Sequence, residues 1–294
     1  MEFKKLEVLS EKKFLGQEMN NIIADYYSKC GKNSKALQLR NCASFLQFKV
    51  YENDEKTRKL YRSNFCKHPL CLMCAWRLSM ERSRELLMAT EILKKRNPKG
   101  RFYFLTLTVP NWKVISKEKL KELQKQGVEF VRKVLGTNSY YVSLEVTIGK
   151  DGLYHPHLHI LVYSTEYIYT TIDFITIYRG AWNKICKNQD LNYLLLTIYP
   201  ILRGKEGEKS LHEVTKYILK PEIKITREMV VKVSKSLENV KKGFSSGEIR
   251  KVLREAKKGI YERDNEELKK LELFDWKMEF YKWLGNNYVL EVGK

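Results

Sequence analysis

The most constraining feature of the chain is the order in which its hydrophobic period changes between residues 101 and 201. Residues 101–109 (RFYFLTLTV) are aromatic and β-branched, as a buried strand requires, and Pro110 ends them. Residues 116–135 carry helical spacing, with Ser116 placed to cap the first turn. Residues 140–148 and 156–163 then alternate as two strands around the turn Gly149-Lys150-Asp151-Gly152. A helix over 172–186 and a strand over 193–201 follow, and a last helix over 209–220 stops at Pro221.

Strand, helix, strand, strand, helix, strand is the split βαβ order of ferredoxin-like folds. The chain therefore reads as α+β, with one antiparallel sheet that carries helices on one face and leaves the other free. Around this core, residues 1–40 read as a polar N-terminal arm with one helical stretch at 17–27. Residues 41–96 form a basic subdomain holding the cysteines and a charged helix at 76–95. The core itself spans 97–222, and 223–294 form a C-terminal helical region with a basic helix at 248–258 and an aromatic hairpin around Gly285-Asn286-Asn287.

Three of the five histidines fall within five residues, His155-Pro156-His157-Leu158-His159. Alternate residues of a strand share a face, so His157 and His159 lie together, opposite Leu158, Ile160 and Val162. On the preceding strand Ser143, Glu145 and Thr147 share a face, and a three-residue turn at 150–152 sets Glu145 directly beside His157. Two imidazoles and a carboxylate on the polar side of an otherwise apolar hairpin suit Mn²⁺ or Mg²⁺ acting on a phosphate. His155 sits at the turn and stays open between a third ligand, a substrate contact and neither.

In the segment LHEVTKYILKP, Leu211, Val214 and Ile218 form one helical stripe, while Glu213, Tyr217 and Lys220 group on the opposite side. A phenol there can attack phosphorus, a lysine can stabilise phosphate charge and a carboxylate can act as base.

Fifty-five Lys+Arg against 35 Asp+Glu give a net charge of +20, and half of that excess lies in residues 1–100. A chain this basic meets a polyanion, most often nucleic acid. No apolar stretch approaches the roughly 20 residues of a membrane span, and the N-terminus lacks a secretory h-region. A soluble, cytoplasmic protein with no membrane partner is expected. In that compartment clustered cysteines point to metal before disulfides. Cys42, Cys66, Cys71 and Cys74 supply the four thiolates of a closed structural Zn²⁺ site. His68 is a substitute ligand that four cysteines make unnecessary, and Cys30 and Cys186 read as unligated buried thiols.

The ordered set FLTLTV, LEVTI, HPHLHILV and EVTKYILK on a basic chain resembles the HUH endonucleases. More closely it is similar to the rolling-circle replication initiators of small Gram-positive plasmids (the pUB110/pC194 type), from about residue 39 to 221. The resemblance implies an HUH-type ferredoxin-like core with His157, His159 and Glu145 as catalytic metal ligands. It implies Tyr217 as nicking nucleophile, Lys220 as the lysine of the family's Tyr-x-x-Lys pattern, and Glu213 as the group that activates water to end replication. Position 155 varies in that family, so His155 is not counted as a ligand. The implied activity is site-specific nicking and joining of origin DNA, presented single-stranded or as a hairpin, through a 5′-phosphotyrosyl link. Host helicase and polymerase are the implied partners, with homo-oligomerisation open. The rival readings are an HUH transposase or relaxase and a non-catalytic zinc-containing DNA-binding regulator.

Overall fold

The structure, a computed structural model, describes residues 3–53, 56–149, 151–187, 196–201, 211 and 226–291. In chain order its elements are α1 (Phe3–Lys29), α2 (Asn33–Arg40), β1 (Phe45–Tyr51), β2 (Arg58–Ser63), α3 (Leu72–Arg96) and β3 (Arg101–Thr108). Next come α4 (Lys117–Lys133), β4 (Ser139–Ile148), β5 (Tyr154–Ser164), α5 (Ile172–Cys186) and β6 (Leu196–Pro200). The described chain ends with α6 (Arg227–Ser236), β7 (Gly243–Ser246), α7 (Gly247–Leu271), β8 (Trp276–Trp283) and β9 (Tyr288–Leu290). It is an α+β protein with two antiparallel sheets, divided into the units Met1–Arg77 with Gly259–Lys294, and Leu78–Lys258. Among the described residues no helix is long and apolar enough to cross a membrane.

The first unit holds the sheet β2-β1-β8-β9. β1 (FLQFKVY) alternates, burying Leu46, Phe48 and Val50 against Cys42, Cys71 and Tyr288. The terminal aromatic hairpin is present, and its long strand pairs with β1 from Phe45↔Lys282 to Tyr51↔Trp276. Residues 1–40 differ from the expected arm, since α1 and α2 are helical almost throughout. The buried stripe of α1 runs through Leu9, Lys13, Gly16, Asn20, Ile23 and Tyr27 at three- and four-residue spacing. Three of those six positions are polar or glycine, which hides the helix from a hydrophobic count.

The second unit carries the sheet β6-β3-β5-β4-β7, every neighbour antiparallel. Ser116 caps α4 as expected, its hydroxyl accepting from the Lys119 N–H at 3.3 Å. Gly127 lets α4 lie close to the sheet, because a Cβ there would stand 2.3 Å from Leu158 Cδ1. Trp182 of α5 is fully buried, and its indole N–H donates to the Thr108 carbonyl at 2.8 Å.

The second sheet face is not free, contrary to the expectation from sequence. Leu86, Ala89 and Leu93 of α3, with Ile249, Val252 and Ala256 of α7, cover the end formed by Phe102, Phe104, Tyr141, Leu161 and Tyr163. Helix α7 is longer than the expected 248–258, and β7, which precedes it, adds the edge strand beside β4. Leu211, helical and buried, joins the same cluster. Of the expected strand at 193–201 the described part is β6.

Candidate active site and cysteine centre

The end of that sheet face left polar is the hairpin β4–β5. Gly149 N donates to Leu153 O at 2.9 Å, and Gly152 takes the left-handed conformation (φ 73°) that a three-residue hairpin loop asks of one residue. This loop fixes the register, so Glu145 pairs with His157 and Ser143 with His159. From β3, Thr106 stands opposite His159 and Thr108 opposite His157.

Both histidines aim Nε2 at one oxygen. Glu145 Oε2 lies 2.8 Å from His157 Nε2 and 2.8 Å from His159 Nε2. The other ring nitrogens are held from behind: His157 Nδ1 donates to the His155 carbonyl at 3.2 Å, and His159 Nδ1 faces Thr106 Oγ1 at 3.2 Å. A carbonyl only accepts, so the proton of a neutral His157 sits on Nδ1 and Nε2 presents a lone pair. Two acceptors then confront each other across 2.8 Å, an arrangement that needs a cation, a proton or a metal ion, between them. Glu145 Oε1 is buried with no hydrogen-bond partner, which leaves a second carboxylate oxygen for a ligand. Burial pushes the Glu145 carboxyl up, but with the imidazoles protonated the hydrogen bonds they donate to it outweigh burial and hold the group well below the usual carboxylate range. The donor set and its charge fit a divalent cation. The site is less open than an exposed sheet face, since Glu145 and His159 are buried and the His159 ring stacks on Phe104.

His155 is on the same strand face but not in this group. Its Nε2 lies 3.5 Å from Asp151 Oδ1, and its part in the site is its backbone carbonyl. Glu213, Tyr217 and Lys220 lie outside the described residues. Thr106 gives no signal in sequence beyond strand alternation; only the β3–β5 register shows that it backs a histidine.

The first unit gathers Cys42, Cys66, Cys71 and Cys74, whose sulfurs all lie within 4.8 Å of one another. Cys42 Sγ is 3.5 Å from both Cys71 Sγ and Cys74 Sγ, and Cys66 Sγ is 3.7 Å from Cys74 Sγ. Backbone N–H groups of Cys66, Lys67 and His68 donate to these sulfurs, as does the Asn20 amide to Cys71 at 3.3 Å. Donors aimed at sulfur stabilise thiolates, and the mutual hydrogen bonds of the four sulfurs split them, holding Cys71 and Cys74 below the usual thiol range and Cys42 and Cys66 above it. A tetrad of this donor chemistry fits Zn²⁺. The Lys13 ammonium, buried nearby, donates to the Cys42 carbonyl. Burial lowers its pKa, while the four cysteines pull it back up. Lys13 and Asn20, on a helix apart from the cysteine motif, are missing from the expectation. His68 is not a fifth member: its Nδ1 accepts from the Leu70 N–H at 3.2 Å. Cys30 is exposed, and Cys186 is partly buried with its thiol pushed up to about 12 by burial, then by Glu122.

Residues 57–288 match Rep_1, a family of replication proteins. The chain belongs to this family. Among its curated relatives is a Protein rep of Lentilactobacillus hilgardii, 30% identical over 225 residues that make up 71% of this chain and 69% of that one. A Protein rep of Streptococcus pneumoniae is 29% identical over 211 residues, 68% of this chain and 64% of its own length. One from Staphylococcus aureus is 29% identical over 219 residues, 72% of this chain and 92% of its own. No solved structure gives a significant match. The Rep_1 match takes in Glu145, His157, His159, Cys66, Cys71 and Cys74, while Cys42 precedes it.

Proposed function

We propose that this Rep_1 protein starts rolling-circle replication by nicking one strand of origin DNA with a tyrosine nucleophile. The observation that carries the reading is the convergence of His157 Nε2 and His159 Nε2 on Glu145 Oε2, with Glu145 Oε1 buried and left over. The strand order β6-β3-β5-β4, joined through α4 and α5, supports a ferredoxin-like core of the HUH type within residues 97–222. A further support is Leu211, buried on the triad's face of the sheet six residues before Tyr217 in the chain.

Mn²⁺ or Mg²⁺ held by Glu145, His157 and His159 would polarise the scissile phosphate as a Lewis acid. The Tyr217 phenol attacks phosphorus; its O–P bond forms, the bond to the 3′ oxygen breaks, and a free 3′-OH remains as primer. The proton lost by the phenol equals the one gained by the 3′ oxygen. Lys220 offsets the phosphate charge, and Glu213 draws a proton from water when the strand is released. Cys42, Cys66, Cys71 and Cys74 take Zn²⁺ in a closed site with no part in this chemistry, bracing the basic first third of the chain. The partners are origin DNA, single-stranded or in a hairpin at the nick, and a host helicase and polymerase that extend it.

The test is covalent adduct formation on a single-stranded origin oligonucleotide with Mn²⁺, read as a protein band of raised mass. Wild type is expected to form the adduct, while Tyr217→Phe binds the same DNA and forms none. An adduct of equal yield from the Phe variant sinks the reading.

A further inference from the structure

The sheet β2-β1-β8-β9 uses its inner face for the cluster around Cys42 and Tyr288, and the residues on its outer face are of another kind. Strand alternation and the pairings Gln47↔Phe280, Lys49↔Met278 and Tyr51↔Trp276 set Trp276, Met278, Phe280 and Lys282 outward. The pairings Gln47↔Arg62 and Lys49↔Lys59 set those cations beside them, and an irregularity in the pairing turns Tyr61 outward as well. Tyr61 is 61% exposed, Trp276 44% and Met278 39%.

Aromatic rings and cations alternate across this face. Lys49 Nζ lies 4.2 Å from the centre of the Trp276 ring and 5.8 Å from that of Tyr61, while Phe45 and Phe280 stack at 5.4 Å and 10°. No outward strand position of the sheet carries Asp or Glu. Among the described residues Glu267 and Glu272, outside the strands, reach it and pair with Lys59 at 2.6 Å and Lys49 at 2.8 Å. Arg62 and Lys282 make no ion pair among the described residues and remain for an external anion.

Exposed rings for flat ligands and exposed cations for a polyanion are what a single strand requires, because its bases are unstacked and its backbone is charged. A duplex hides its base faces and has no use for the rings. We propose that the outer face of this sheet is a stacking platform for single-stranded DNA, with bases on Trp276 and Tyr61 and phosphates on Arg62 and Lys282. The proposal takes from the nicking reading only that the strand is DNA; it needs neither Tyr217 nor the triad.

The experiment uses the full chain and fluorescein-labelled oligothymidylate of about 16 nucleotides, followed by fluorescence anisotropy. This probe forms no hairpin and contains no origin sequence, so binding is read without cleavage. Adduct formation by the same proteins on an origin oligonucleotide reports separately on nicking. Trp276→Ala and Tyr61→Ala are each expected to weaken binding about tenfold, and Trp276→Phe to restore most of it, since a ring remains. Arg62→Gln with Lys282→Gln is expected to flatten the dependence of affinity on salt by roughly two phosphate contacts. Both aromatic side chains are exposed, so truncation leaves the inner cluster intact. Oligothymidylate affinity unchanged in the Trp276→Ala/Tyr61→Ala double variant overturns the proposal. So does an equal loss on duplex DNA of the same length, which makes the face a duplex surface. Dissociation of a self-associated chain with unchanged DNA affinity overturns it as well, in favour of a protein interface.

Discussion

Thr106 on β3 stands opposite His159 on β5, and its hydroxyl lies 3.2 Å from the ring's Nδ1. The other ring nitrogen, Nε2, points at Glu145 Oε2. A hydroxyl in that position holds the ring's orientation, and by accepting from Nδ1–H it lets Nε2 serve a cation. Thr106→Val keeps the branched shape of the strand residue and removes the oxygen. It is expected to weaken Mn²⁺ binding by about 10- to 100-fold while the fold is retained. Mn²⁺ titration followed by electron paramagnetic resonance measures it, and an unchanged affinity removes Thr106 from the site.

His157 and His159 are expected to differ in what their loss does. His157→Ala opens a half-buried position and should abolish Mn²⁺-supported cleavage with little change in thermal stability. His159 is buried against Phe104, so His159→Ala also leaves a void and takes one partner from a buried carboxylate. Breaking a buried pair costs about 3–5 kcal/mol, and a lower melting temperature should accompany the lost activity. Thermal melts beside cleavage assays separate the two variants. Cleavage that survives thorough chelation in wild type would remove the metal from the mechanism.

The cysteine centre gives a prediction in metal analysis and in thiol chemistry. Purified chain should hold about one Zn²⁺, and Cys71→Ser or Cys74→Ser should lose it with partial unfolding of the first unit. Iodoacetamide reacts with thiolates, so a thiol that stays protonated is slow. Cys30 is exposed, whereas burial holds the Cys186 thiol up at about 12. At pH 8 labelling should reach Cys30 first, lag at Cys186 until the solution approaches that value, and spare the tetrad until zinc is removed. Peptide mapping after timed alkylation reads the order. Rapid labelling of all four cluster cysteines in untreated protein would contradict a metal-filled site.

The parts of the fold legible in sequence are those where one side chain pattern has one purpose. The register of the β4–β5 hairpin is read correctly, because polar and apolar positions alternate from Ser143 to Ile148 and from His155 to Ile160 and the loop length sets Glu145 against His157, although β5 begins at Tyr154 rather than at 156. Helix α1 is read only over 17–27, and its first half is missed, because Lys13, Gly16 and Asn20 occupy its buried stripe. Lys13 and Asn20 are there for the cysteine centre, and Gly16 for the approach of Leu72, whose Cβ would stand 2.9 Å from a Cβ at that position. Missed as well is β1–β8 pairing, which joins segments more than two hundred residues apart and leaves no local mark. Thr106 and the cover that α3 and α7 lay over the second sheet face depend in the same way on pairing and packing that no local spacing encodes.

The final prediction concerns Glu213, which precedes Tyr217 by four residues in the segment proposed to cleave the strand. On the helix expected from sequence over 209–220, residues four apart share a face, which would let its carboxylate act on the same phosphate as the phenol without supplying the attacking oxygen. If Glu213 activates water at termination, Glu213→Gln should form the tyrosyl adduct at the wild-type rate on first encounter. Gln keeps the size and reach of the side chain but cannot take a proton. Hydrolytic release should then fail, so adducts accumulate in single-turnover reactions and multimeric products accumulate in replication assays. A role as a further metal ligand predicts the opposite order: the first nick is lost and partly recovered at higher Mn²⁺. Measuring first cleavage and release in the same variant decides between these roles. Normal rates for both steps would leave Glu213 with no part in the reaction.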